Sequence, residues 1–336
     1  MSAGLRVGWY VHHHGHGHLH RALAVAGVLA ADGVEVTVLG SRPAEPHPSV
    51  ASWVELPRDD GGEPRAVTAN GTLHWAPRHH EGLRARMHAI SAWIAATRPD
   101  VVVCDVSQEV ALLCRLHGVP VVAVVQPGDR SDAPHLTGLR AADVLVACWP
   151  AAAGMLVSGL PPEVAARVVT VGGLSRFPVA SGAAPVPRGG GVLVLGGSGG
   201  DAWTPEQLDL LRRDAGRPVR ELGGAAGWDP DPATALAAAA VVVVHAGQNA
   251  LAEVAAARVP AVVVPAERPH HEQHATARAL AAGDWPVRVL PTLAHDDWPG
   301  LLDEVAALDG RRWSAWCDGD AAARFADVVR TVGNRR

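Results

Sequence analysis

Residues 241–265 read VVVVHAGQNALAEVAAARVPAVVVP, and their order decides the fold. Four consecutive valines are too uniformly apolar for a half-exposed strand and suit one covered on both faces. His245, Ala246 and Gly247 break that run, and the alanine-rich stretch after them has the composition of a helix, over 247–257. A second β-branched run then follows at once. Strand, tight turn, helix and strand in this order form a βαβ unit, whose two strands lie parallel with a right-handed crossover.

The same alternation runs along the rest of the chain. Strand-like runs are LRVGWYV (5–11), VEVTVLG (34–40), VVVCD (101–105), VPVVAVV (119–125) and DVLVAC (143–148). After residue 190 come GVLVLGG, PVREL, VVVVH, PAVVVP and PVRVL. Helices are expected near 18–31, 107–117, 204–215, 247–257 and 270–281. The pattern occurs twice, on either side of PVASGAAPVPRGGG (178–191), a Pro/Gly/Ala-rich linker with almost no large apolar side chain. The expected class is α/β, as two Rossmann-like domains with parallel sheets facing a cleft. The expected boundaries are 1–178, a linker at 179–190, and 191–318. In such sheets ligands bind beyond the carboxyl ends of the strands.

Bulk properties narrow the function. A chain of 336 residues suits two domains of about 150 residues each. No apolar stretch approaches the ~20 residues of a membrane span, and no secretory leader is visible, so the expected compartment is the cytoplasm. All 29 cationic side chains are arginine, and the net charge of −5 argues against a nucleic-acid-binding surface. Four scattered cysteines, Cys104, Cys114, Cys148 and Cys317, form no C-x-x-C pair and read as reduced thiols, three of them in or beside apolar runs.

Three strand-to-helix loops carry candidate chemistry. The first, HHHGHGHLHRALAVAG (12–27), holds six histidines. Gly15 and Gly17 let the loop turn tightly and let a ligand approach the backbone. His18 falls at the helix N-terminus, where the dipole disfavours added positive charge and leaves imidazole available as a base. A metal site and a purely structural loop are the competing readings, but alternating histidines on a glycine loop set no definite coordination geometry. In the second loop Asp105 ends an apolar strand. It could hold the Nδ1–H of a histidine, or simply cap the helix beginning near QEVALL. The third group lies after residue 190. Gly197, Ser198 and Gly199 form a glycine turn able to cradle phosphate oxygens. His245, Gly247, Gln248 and Asn249 stand where a strand becomes a helix, and Glu253 lies about one and a half turns further on. A carboxylate there could accept hydrogen bonds from two ribose hydroxyls, or be an ordinary solvated helix residue. His271, Glu272, Gln273 and His274, within AERPHHEQHATARAL (266–280), form a polar cluster that suits sugar hydroxyls.

The stretch VVHAGQNALAEVAAARVPAVVVPAERPHHEQHATARAL resembles the donor-binding region of GT-B glycosyltransferases, above all glycosyltransferase family 28 and its MurG-like members. LVLGGSGG resembles that family's phosphate loop, and GHGHLHRALAVAGVLAADGVEVTVLG its N-terminal loop and first helix. The resemblance implies inverting transfer from a nucleotide-diphosphate sugar, usually a UDP-sugar, to a hydroxyl or amine. It assigns His18 as base and Asp105 as its partner. Ser198, Gly199, Gly247 and Gln248 become diphosphate contacts, Glu253 the ribose carboxylate, and Glu272 with Gln273 the readers of the donor sugar. It also implies that a final helix within 319–336 packs back on the N-terminal domain. The nucleotide sugar is the co-substrate, and no cofactor or metal is required. The letters DPD (229–231) and DGD (318–320) read as helix caps.

Two departures matter. His274 and Ala275 stand where the family usually has an Asn, and Arg21 stands where Pro is common. Through Arg21, GHGHLHR also resembles the loop of PseG-type UDP-sugar hydrolases, which use water as acceptor. A histidine-rich metal binder on a degenerate fold is the non-enzymatic alternative. The acceptor, a small molecule, glycan or natural product, is not specified, and peripheral contact with a membrane stays open. The stretch 57–78 lacks an obvious apolar landing surface, which disfavours a lipid-linked acceptor.

Overall fold

The computed structural model describes residues 4–12, 17–40, 46–180, 190–196, 203–224, 227 and 231–335. The chain divides into two compact units. The first comprises 1–147, 157–171 and 322–336, and the second 148–156 and 172–321.

The first unit is built on seven parallel strands: β1 (Arg6–Val11), β2 (Glu35–Gly40), β3 (Ser52–Glu55), β4 (Val101–Asp105), β5 (Val121–Val125), β7 (Val144–Ala147) and β9 (Val168–Thr170). Two short strands, β6 (Gly128–Asp129) and β8 (Val157–Ser158), pair apart from it. The sheet order is β3-β2-β1-β4-β5-β7-β9. Every residue of β4 and β5 is buried, as the unbroken apolar runs require of strands covered on both faces. Gly8 in β1 admits the indole of Trp93, since a Cβ there would lie 2.4 Å from its Cη2.

Helices α1 (Gly17–Ala31), α3 (Gln108–Leu116), α4 (Ala133–Ala141) and the short α5 (Pro162–Ala165) follow strands of this unit. One long helix, α2 (Glu81–Thr97), has no counterpart in the sequence reading. Its buried residues are Arg86, Ile90 and Ile94, a stripe one residue wide that includes a charge, so no apolar periodicity marks it. Arg86 is accommodated because Nη2 donates to the Tyr10 hydroxyl (2.9 Å) and Nη1 to the Pro57 carbonyl (2.8 Å). The last helix, α11 (Ala321–Gly333), belongs to this unit apart from its first residue. Phe325 packs 5.1 Å from the ring of Trp9, and Arg324 Nε donates to the Val171 carbonyl.

The second unit has five parallel strands, β10 (Val192–Leu195), β11 (Val219–Leu222), β12 (Val241–Val244), β13 (Ala261–Val263) and β14 (Val287–Val289), in the order β11-β10-β12-β13-β14. Around them lie α6 (Pro205–Asp214), α7 (Pro232–Ala238), α8 (Gln248–Ala256), α9 (Glu272–Ala282) and α10 (Trp298–Ala306). Helix starts are set chemically. Thr204 and Gln207 form a reciprocal capping box on α6, and Asp231 and Asp297 cap α7 and α10. Asp231 is one of the aspartates expected to cap; Asp229 lies outside the described residues. Valines of β10 and β12 pack with Leu208, Leu211, Trp298, Leu302 and Val305 in a single core. Trp313, fully buried, donates its Nε1–H to the Val259 carbonyl at 2.7 Å. All four cysteines are buried and none forms a disulfide.

Candidate active site

Both sheets reverse direction at one place. The first chain connection runs from β1 outward to β2, while β4 lies on the other side of β1. Likewise β10 leads outward to β11, with β12 on its other flank. At such a point the loops leaving adjacent strands diverge and open a crevice at the carboxyl edge. In the first unit the two loops are those that carry the histidine motif and Asp105. Val11 of β1 pairs with Asp105 of β4, which fixes the register.

The side chains meet there. Nδ1 of His18, on the first turn of α1, lies 3.0 Å from Asp105 Oδ1. With Nδ1–H donated to the carboxylate, Nε2 keeps the lone pair that can take a proton. Asp105 does not cap α3. Ser107 does, accepting from the Val110 amide at 3.2 Å, so the carboxylate is released for the histidine. A third group completes the set. Arg21, one turn after His18 on α1 and only 2% exposed, donates from Nη1 to both Asp105 oxygens at 2.8 and 2.9 Å. Burial pushes the Asp105 carboxyl up, but the Arg21 guanidinium and His18 outweigh it and hold the carboxyl below the ordinary 3.8. A fully buried carboxylate is thus kept ionised beside the imidazole. The sequence reading placed Arg21 only among loop residues. Its spacing of three from His18 on one helix face, together with an arginine at an otherwise buried helix position, is the signal for this role. Gly17 begins α1, and Gly15 lies outside the described residues. His12, directly after β1, lies 6.4 Å, ring to ring, from His18.

In the second unit the crevice is flanked by the loops after β10 and β12. Gly197, Ser198 and Gly199 fall outside the described residues. After β12, His245 donates Nδ1–H to the Val264 carbonyl (2.9 Å), and its ring stacks on Trp203 at 3.9 Å. Gly247 is the N-cap of α8 and, lacking a side chain, leaves the first-turn amides uncapped. Gln248 is more telling. Both ends of its side-chain amide are shielded from solvent, and neither has a hydrogen-bond partner among the described residues. Buried polar atoms of this kind cost stability unless something pairs with them. Uncapped N–H groups, a helix dipole and an unpaired amide together make an anion-binding arrangement. Asn249 follows on the first turn of α8.

Glu253 is not a solvated helix residue. It is 7% exposed, and Oε1 accepts from Arg176 Nε at 2.8 Å. Burial raises its carboxyl above 4.5 against the pull of Arg176. Arg176 was missed in the sequence, where GGLSRFP (172–178) offers no local pattern; the contact joins residues 77 positions apart. Gln273 is buried, its Oε1 accepts from the Ala266 amide at 2.9 Å, and its Nε2 comes within 4.0 Å of a Cβ built on Gly247. The structure therefore brings Gln273 to the start of α8. Glu272 is the first residue of α9. The turn that delivers them is strained: His270 and His271 both adopt left-handed backbone, at φ 61° and 55°, a conformation costing about 1–2 kcal/mol per non-glycine residue.

The model of the glycosyltransferase family 28 C-terminal domain matches residues 224–285, from the end of β11 to the end of α9. Over 103 residues the chain is 39% identical to the UDP-N-acetylglucosamine--N-acetylmuramyl-(pentapeptide) pyrophosphoryl-undecaprenol N-acetylglucosamine transferase of Clavibacter michiganensis subsp. michiganensis (strain NCPPB 382). That match takes in 29% of this chain and only 28% of the relative's length. Among solved structures, the glycosyltransferase of kitacinnamycin superposes with a TM-score of 0.67 at 16% identity, covering 99% of this chain and 100% of that one. Spinosyn rhamnosyltransferase SpnG, solved with thymidine diphosphate, gives 0.62 at 18% identity, over 98% and 100%. At such identities the likeness is one of fold. Residues 224–285 of the second unit thus resemble the glycosyltransferase family 28 C-terminal domain, and the chain has the fold of the GT-B glycosyltransferases.

Proposed function

We propose that this protein transfers a sugar from a nucleoside-diphosphate sugar, a UDP-sugar foremost, to a hydroxyl or amine acceptor with inversion at C1. The observation that carries the reading is the start of α8. There, first-turn amides with no side-chain cap and a Gln248 side chain with no hydrogen-bond partner, both among the described residues, stand at the switch point of the second sheet, inside the stretch matched by the family model. A diphosphate supplies the oxygens those donors lack. The two pyrimidine nucleotides in the names of the similar proteins support the choice of base.

In this scheme Glu253, held by Arg176, accepts from the ribose hydroxyls, while Glu272 and Gln273 contact the sugar. Ser198 and Gly199 add to the diphosphate contacts. His18 Nε2 takes the proton as the acceptor atom bonds to C1, and the bond from C1 to the diphosphate oxygen breaks with its electron pair. Asp105 stabilises the imidazolium that results, and the amides of α8 stabilise charge growing on the leaving diphosphate. No step calls for a metal or cofactor. The acceptor is a small molecule, glycan or natural product.

The test is release of nucleoside diphosphate from a panel of UDP- and dTDP-sugars, with wild type and His18→Ala compared. Both proteins are expected to bind one donor equally, with turnover about 10²–10⁴-fold lower in the variant. Fast His18-dependent release of free sugar into water would make the protein a hydrolase. Absence of nucleotide-sugar binding would overturn the reading.

A further inference from the structure

The turn that leads into α9 gathers a second set of chemically active side chains. Glu267, His271 and His274 each present one ligating atom, and these atoms all lie within 4.8 Å of one another. His271 is the N-cap of α9 and His274 lies on its first turn, with ring centroids 6.3 Å apart. His274 Nε2 stands 3.4 Å from Glu267 Oε1. That separation exceeds the usual 2.7–3.2 Å of an N–H···O hydrogen bond. It does match the edge of a tetrahedron with ligand bonds of ~2.1 Å, which is about 3.4 Å. His274 Nδ1 is shielded and has no partner among the described residues, so Nε2 is the ring edge open to ligation.

We propose that Glu267, His271 and His274 bind a divalent transition-metal ion, Zn2+ in the first place. Two imidazole nitrogens and a carboxylate oxygen are a borderline donor set that suits Zn2+ and Co2+ over Mg2+ or Ca2+. Three protein ligands leave one coordination position open. The ion ties Glu267 across the left-handed pair His270–His271 to the first turn of α9, and so fixes the turn that positions Gln273. The proposal does not depend on glycosyl transfer, because metal binding is read without any nucleotide sugar.

The experiment titrates the full-length protein with Co2+, following visible ligand-field absorption, and with Zn2+ by calorimetry. The histidines at 12–20 can take up ions themselves, so the informative quantity is the difference between variants. Glu267→Gln, at a side chain 75% exposed, leaves folding untouched and is expected to weaken the site at least 10-fold. His271→Ala with His274→Ala is expected to remove one equivalent and the tetrahedral Co2+ bands. Wild-type stoichiometry and affinity in both variants would overturn the proposal, as would octahedral bands in the difference spectrum between wild type and the double variant.

Discussion

Replacing Arg21 by methionine tests the logic of the buried triad. Arg21 and Asp105 are 2% and 0% exposed and joined at 2.8 and 2.9 Å. Methionine keeps much of the volume but leaves a buried carboxylate whose remaining hydrogen-bond partner, among the described residues, is His18. Breaking one side of such a pair costs about 3–5 kcal/mol. For a unit of this size, that lowers the unfolding midpoint by roughly 6–20 °C. Asp105→Asn alone is expected to cost a similar amount, because it strands the guanidinium. The double variant removes both charges together, so its cost should fall short of the sum by about 2 kcal/mol or more. Hydrogen exchange of β1 and β4 amides reads the first unit by itself.

The pH dependence supplies a second arm. In the wild type the Asp105 carboxyl is lowered from 3.8, so its contribution is full above that value and is lost as pH falls through the lowered pKa. Without Arg21, burial dominates and raises the carboxyl, so stability is highest at low pH and declines as pH rises past 3.8. The slopes have opposite sign, and the double variant, lacking the group, provides the baseline. Additive single costs, with coupling below about 0.5 kcal/mol, or slopes of the same sign, would refute the reasoning.

Further outcomes follow from other buried groups. The imidazole of His135 is lowered to about 4 by burial, with the charges of Arg130 and His74 adding and the Asp132 hydrogen bond opposing. An NMR titration should place its midpoint near 4, and its contribution to stability should be complete above 6.5 and decline as pH falls towards 4; a midpoint near 6.5 would contradict this. Glu253→Gln is expected to weaken UDP binding about 10-fold or more, since a hydrogen bond to a charged group contributes about 1.5–3 kcal/mol. It should also remove a loss of stability that accompanies rising pH above 4.5, because burial raises that carboxyl; calorimetry and unfolding at two pH values check both.

Much of the architecture follows from local sequence. Uniform valine runs can be stable only between two covering layers, and their alternation with alanine-rich stretches leaves parallel βαβ units as the solution. Hence helices expected at 18–31, 107–117, 204–215, 247–257 and 270–281 occur as Gly17–Ala31, Gln108–Leu116, Pro205–Asp214, Gln248–Ala256 and Glu272–Ala282. The same physics explains what was illegible. Helix α2 buries an arginine among its core positions, and strand β9 is only three residues long with none of them fully buried, so neither carries a periodic apolar signal. In the site, the strand-end placement of His18, Asp105, Gly247 and Gln248 was readable, because a strand-to-helix junction is a local event.

Pairing across the fold was not readable. The choice between Asp105 as cap and Asp105 as partner of His18 turned on Ser107 taking the cap and on Arg21 being buried beside the carboxylate. The engagement of Glu253 by Arg176, and the approach of Gln273 to Gly247, likewise join residues far apart in the chain. Which side chains stand at the carboxyl ends of strands is set locally, since that depends on neighbours a few positions away. Which of them share a proton or a charge is set by packing between distant segments. Electrostatic partnership depends on distance and on exclusion of water, and both are set by the packing of segments that the sequence keeps dozens of residues apart.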